Sequence, residues 1–146
     1  MKNIISTILL WSALSLVSMQ NALGGESVAV IVNVSNTEEI SEQQVKNIYA
    51  DMITQWKSGN KIAVFNLRVD DNARETFSQK VFGESARQLA AAESNRKITN
   101  TIKNPTKTKS ARLVSKMVSR NPNAIGYVPL SMAKGMSNVR IVLQID

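Results

Sequence analysis

The sequence predicts an α/β domain built on one sheet. Three observations carry that expectation. β-Branched apolar runs stand at 27–34, 61–65 and 138–145, segments with apolar residues at helical spacing lie between them, and the two kinds alternate along the chain. There is no internal repeat and no low-complexity tract.

The chain opens with "MKNIISTILLWSALSLVSMQNALGG": an early Lys2, an apolar stretch from Ile4 to Val17 broken by Ser6, Ser12 and Ser15, and small residues from Ala22 to Gly25. That layout reads as a secretory signal peptide over 1–24 with cleavage near Gly24, leaving 25–146 as a single exported domain. "SVAVIVNV" at 27–34 suits a buried strand. In "SEQQVKNIYADMITQW", Ser41 and Gln44 form a capping box, and Val45, Ile48, Tyr49 and Met52 recur at helical spacing. "KSGN" at 57–60 is the turn into a second strand, "KIAVF".

A charged corner follows, "NLRVDDNARETF", with Asn72 and Glu75 spaced as a capping box. Ala73, Phe77, Val81 and Phe82 share a face of the helix it opens, and Gly83 is placed to end it. Ser85 and Gln88 open a third helix, whereas "KNPTKTK" at 103–109 lacks apolar anchors and reads as an exposed loop. Ser110 opens a helix with Leu113, Val114, Met117 and Val118. Next come a short strand at 125–128, a helical turn at "SMAKG" and the last strand at 138–145. Phe77, Phe82, Met117 and Val118 are assigned to the core, and Trp56 and Tyr127 to packing.

The chain has 18 Lys and Arg against 11 Asp and Glu, a net charge of +7, with no Cys and no His. Thiolate nucleophiles, Ser-His-Asp triads, histidine zinc sites and internal disulfides are therefore excluded. Ser-x-x-Lys occurs at Ser94 and Ser131, too loose a pattern to argue for catalysis, so the chain reads as non-enzymatic and without a cofactor. Between Arg87 and Arg120 nine cations face one anion, Glu93. Such a stretch suits an anionic surface or a solvated face. No aromatic residues interleave with the cations, so nucleic acid is not expected and the solvated face is the favoured reading.

"ISEQQVKNIYADMITQW" resembles the L-x-x-I-F/Y-x-G helix leading to a Trp in periplasmic phosphate-binding proteins, the solute receptors of phosphate ABC transporters. "RVDDNARETF" falls where those proteins carry R-x-D-x-S-G-T, and "VSRNPNAIGYVPL" is similar to their V-x-x-x-P-G-A-I-G-Y-V segment. The order is kept across residues 40–130. The resemblance implies one lobe of a periplasmic-binding-protein type II fold, a mixed sheet flanked by helices, in a periplasmic or secreted protein.

It also implies a ligand site at Arg68, Asp70, Asn72, Ala73 and Arg74. Arg68 and Asp70 match the family, while Asn72 stands at its Ser, Ala73 at its Gly and Arg74 at its Thr. A helix N-terminus and two guanidinium groups suit a small oxyanion, with phosphate the first expected ligand. The other reading is that Asp70, Asp71 and Asn72 cap the helix and Arg68 pairs with an aspartate. The partners implied are a membrane transporter or an envelope protein. A homodimer rebuilding a two-sided cleft is a further expectation. The alternative role is an envelope interaction module that has lost its ligand.

Overall fold

The computed structural model describes residues 25–146, so the expected signal peptide lies outside the described residues. The elements run β1 (Val28–Asn33), α1 (Glu42–Tyr49), β2 (Ala63–Asn66), α2 (Asn72–Phe82), α3 (Ala86–Ile98), β3 (Lys107–Thr108), α4 (Ala111–Arg120), β4 (Ala124–Pro129), α5 (Leu130–Ala133) and β5 (Val139–Ile145). They form one mixed sheet of five strands in the order β3-β2-β4-β1-β5. β1 is antiparallel to β4 and β5, and β2 is parallel to β4 and β3.

β1 is buried along its whole length because helices or strands cover it on every side, which is why it reads as an unbroken apolar run. Phe77 of α2 stacks on Tyr127, while a Cβ at the preceding residue, Gly126, would collide with Val114 Cγ1 of α4 and come within 3.3 Å of Val118 Cγ2. Neighbouring residues of a strand point to opposite faces, so α2 and α4 sandwich the sheet. The "NAIGYV" segment is thus legible physically: glycine admits α4 against β4, and tyrosine supports α2.

Local signals held where they were strongest. Ser41 and Ser85 form their capping boxes, Ser110 caps α4, and Gly83 ends α2 in the left-handed conformation. The expected cap at Asn72 is corrected by one residue. Asp71 is the N-cap, accepting from the Ala73 N–H at 2.9 Å, and Asn72 is the first helical residue. Glu75 therefore forms no box and is free to act elsewhere.

The exposed loop at 103–109 is also corrected. Lys107 and Thr108 pair with β2, and Asn104 is buried with its side-chain amide donating to the Ile62 carbonyl at 2.9 Å. The anchor is Asp51, whose carboxylate accepts from the Lys103 and Asn104 N–H groups at 2.6 and 2.7 Å. Asp51 stands at the last position of the L-x-x-I-F/Y-x-G pattern and adopts φ +65, the left-handed region where glycine is at ease. That turn ends α1 and leaves Met52 exposed, against the helical stripe expected for it.

Met117 and Leu113 are likewise exposed, at 40% and 46%, rather than core. α4 approaches β4 closely at Gly126, where Val114 and Val118 fill the space beneath it. Phe77 is buried and Phe82 half-buried against the same core. Trp56 and Tyr127 pack as expected, and the Trp56 indole N–H donates to the Asn123 carbonyl at 3.0 Å. Of the nine cations from Arg87 to Arg120, all but Arg96 are exposed, in keeping with a solvated face.

Gly126→Ala is expected to destabilise the fold by about 1–3 kcal/mol through overpacking, read as a lowered denaturant midpoint with an unchanged slope. An unaffected midpoint would mean that α4 does not ride on this glycine.

Candidate functional site

β2 ends at Asn66, and the chain passes through Leu67 into the turn closed by the Asp71 N–H bond to the Arg68 carbonyl at 3.0 Å. Two tyrosines hold this strand end in place. The Tyr49 hydroxyl donates to the Phe65 carbonyl at 2.8 Å, and the Tyr127 hydroxyl donates to Asn66 Oδ1. Burial pushes both phenols up from their ordinary range, with the positive charge of Arg74 opposing it, so both remain protonated donors. The ring of Tyr127 stacks on Phe77 at 4.0 Å between centroids and 4° between planes, and Tyr49 meets Phe77 edge-on at 4.8 Å. The start of α2 is thereby fixed over the end of β2.

The expected site residues fall into two groups on this frame. Arg68 and Asp70 are together at the surface, with side chains 69% and 64% exposed and Nε 3.3 Å from Oδ1. An exposed pair of this kind contributes little to stability. Asn72 is exposed, and Ala73 is fully buried with its N–H taken by Asp71. The N–H groups of Asn72 and Arg74 find no protein acceptor among the described residues.

Arg74 departs most from what its sequence position suggests. It is only 5% exposed, and its Nη1 donates to the Leu67 carbonyl at 2.7 Å. Among the described residues no carboxylate lies within 4.0 Å of it; the ion pairs are Arg68 with Asp70 and Lys97 with Glu93. A buried guanidinium held by one carbonyl is a charge short of a counter-charge.

Arg74 borders two spaces. One is a surface hollow of about 440 Å³ bounded by Arg68, Val69, Asp70, Arg74 and Thr108, with Asn72 and Ala73 outside its walls. The other is a cavity of about 210 Å³ between α2 and α3, where Arg74 meets Asn66, Phe77 and Arg96. Thr108 and Arg96 had no signal in the sequence. Thr108 reaches the hollow only because β3 pairs with β2, and Arg96 reads locally as one more cation of the basic stretch.

At the two Ser-x-x-Lys motifs, Ser94 and Ser131 are exposed, and Lys97 is paired with Glu93 at 2.9 Å. No cluster of three or more His, Cys, Asp or Glu among the described residues is spaced to hold a metal. No helix among them is long and apolar enough to cross a membrane.

A family model described as the PBP superfamily domain matches residues 18–142. The chain belongs to the PBP superfamily. No curated protein matches it. Among solved structures it is similar to an ABC-type phosphate transport receptor from Vibrio cholerae, at 19% identity and a TM-score of 0.60. It is also similar to a candidate phosphate ABC transporter substrate-binding protein from Clostridium perfringens with bound phosphate, at 21% identity and a TM-score of 0.59. A candidate phosphate-binding protein from Planctomyces limnophilus matches at 15% and 0.60. Each alignment covers 80% of this chain and 45%, 44% and 40% of the respective structure. This PBP domain therefore spans less than half the length of the receptors it matches, and the likeness establishes the mixed α/β fold alone.

The two helices that wall the PBP domain's cavity are joined by Glu75. Its Oε1 accepts from Gln79 Nε2 at 3.0 Å and its Oε2 from the Ala86 N–H at 2.9 Å, at the first turn of α3. The Gln79 amide first, then the Ala86 N–H, holds the Glu75 carboxyl below its usual range. A depressed pKa stabilises the fold above the unfolded-state value and loses that contribution as pH falls through the folded-state value. Glu75→Gln should therefore lower the melting temperature at neutral pH, and the gap to wild type should close as the carboxylate is protonated. A gap that persists unchanged into strong acid would refute this join.

Proposed function

We propose that this PBP domain is a solute-binding lobe that takes a small oxyanion, inorganic phosphate first, in the hollow between Arg68 and Arg74. The observation that carries the reading is Arg74: a guanidinium 5% exposed, tied to one carbonyl, bordering an open hollow with no carboxylate in ion-pair reach among the described residues. An anion there supplies the missing counter-charge, and a guanidinium fork suits its oxygens. Arg68 adds a second guanidinium, Thr108 a hydroxyl in place of the one absent at position 74, and Asp70 an acceptor for a phosphate proton.

Asp71 already occupies the cap, so the α2 terminus contributes chiefly through its dipole. The resemblance to phosphate receptors of solved structure favours phosphate over other oxyanions. In this reading the domain is exported by residues 1–24 to the periplasm, where a membrane transporter or an envelope protein is its partner and a second copy supplies the facing half of the cleft. The chemistry is binding without catalysis.

Isothermal titration of inorganic phosphate into the purified protein is expected to show saturable heat, with Arg68→Ala weakening it at least about tenfold, or about 1.4 kcal/mol. Phosphate that gives neither heat nor a thermal shift at millimolar concentration overturns the assignment, as does an Arg68→Ala variant that binds like wild type.

A further inference from the structure

The cavity between α2 and α3 is separate from the hollow used above, sharing with it only Arg74. We propose that it is a second ligand site, built for a small aromatic carboxylate whose oxygens are received by Arg74 and Arg96 and whose ring lies against Phe77, Phe82 and Leu89.

Size comes first. At about 210 Å³ the cavity exceeds the roughly 150 Å³ known to accept a benzene, whereas one water takes about 30 Å³ of liquid. A bare tetrahedral oxyanion would fill little of it. One ring with a carboxylate fills it well.

Polarity comes second. The lining is divided, with Tyr49, Phe77, Phe82 and Leu89 offering ring and aliphatic surface and Arg74 and Arg96 offering guanidinium groups. Arg96 borders the cavity, and its Nε is shielded from solvent and finds no hydrogen-bond partner among the described residues, so this guanidinium is left short of acceptors. Arg74, nine-tenths buried or more, has only the Leu67 carbonyl as acceptor among the described residues. Two carboxylates also border the cavity, and neither neutralises these cations within 4.0 Å. Glu93 is engaged by Lys97 at 2.9 Å and by the Thr106 hydroxyl at 2.9 Å, and Glu84 is exposed to solvent.

The roof supports the same conclusion. α3 has 13 residues, yet only Ala86, at its first turn, is fully buried. Helices of globular proteins draw most of their stability from a packed face, and this one stands over empty space instead. A ring beneath Leu89 and Ala92 would give α3 the apolar contact it lacks.

Benzoate is the probe. Titration calorimetry and thermal shift on the purified protein should show one saturable site, stabilised by ligand. Arg96→Gln should weaken benzoate at least tenfold, Leu89→Trp should abolish binding by filling the cavity, and Arg68→Ala should leave benzoate affinity unchanged. Ala92→Phe serves as a second filling variant should Leu89→Trp fail to fold by circular dichroism. The site is refuted by benzoate that is silent at millimolar concentration. It is refuted equally by Arg96→Gln and filling variants that bind benzoate as wild type does, or by Arg68→Ala abolishing it. The two assignments fail separately: phosphate silence with benzoate bound removes only the outer hollow, and benzoate silence with phosphate bound removes only the inner cavity.

Discussion

The Arg74 guanidinium bound to the Leu67 carbonyl is the contact around which this molecule is organised. It lies where β2 ends and α2 begins, and it draws a positive charge inward to a place where water reaches little of it. Such a charge is tolerated only if its surroundings hold it rigidly and leave it a partner. The rigidity comes from below. Tyr127 is stacked on Phe77 and hydrogen-bonded to Asn66, and Tyr49 holds the Phe65 carbonyl, so strand end and helix start move as one body. Gly126 makes that arrangement compatible with α4 on the opposite face of the sheet.

One buried cation borders two spaces of different character, and each is proposed above to take an anion. The outer hollow is wide and flanked by the Arg68–Asp70 ion pair, which is open to solvent, so its electrostatics are screened. The inner cavity is smaller, walled by rings and roofed by α3, so a charge there interacts at lower effective dielectric. Asp71 caps α2 with its own carboxylate, so an anion placed here would rely on guanidinium groups more than on backbone amides. In the proposed reading, that division lets the lobe hold an anion although Asn72, Ala73 and Arg74 stand where the resembled motif has Ser, Gly and Thr.

Much of the fold was legible because its signals are local. β1 reads as a buried strand from its β-branched run alone, and Ser41, Ser85 and Ser110 mark helix starts because a hydroxyl three residues before an N–H needs nothing from the rest of the chain. Asp71 and Asn72 are adjacent residues of equal capping ability, so sequence could not choose between them; the turn closed by the Arg68 carbonyl did. β3 was invisible because two polar residues become a strand only when Asp51, more than fifty positions away, fixes the backbone at 103 and 104. Arg74 and Arg68 look alike in the sequence, yet one is buried and the other exposed. Nothing local distinguishes them, since burial at position 74 depends on where Tyr127 and α3 lie. Arg96 is hidden for the same reason, as one cation among nine.

Arg74 is an inward-facing cation, and the proposed role turns on its being held in place and receiving an anion. Side-chain nitrogen NMR of Arg74 tests it most directly. The expected result is a guanidinium resonance that is slow to exchange with solvent in the free protein and that shifts saturably when phosphate is added. A rapidly exchanging resonance, averaged like that of an exposed arginine and unmoved by the anion, would contradict it.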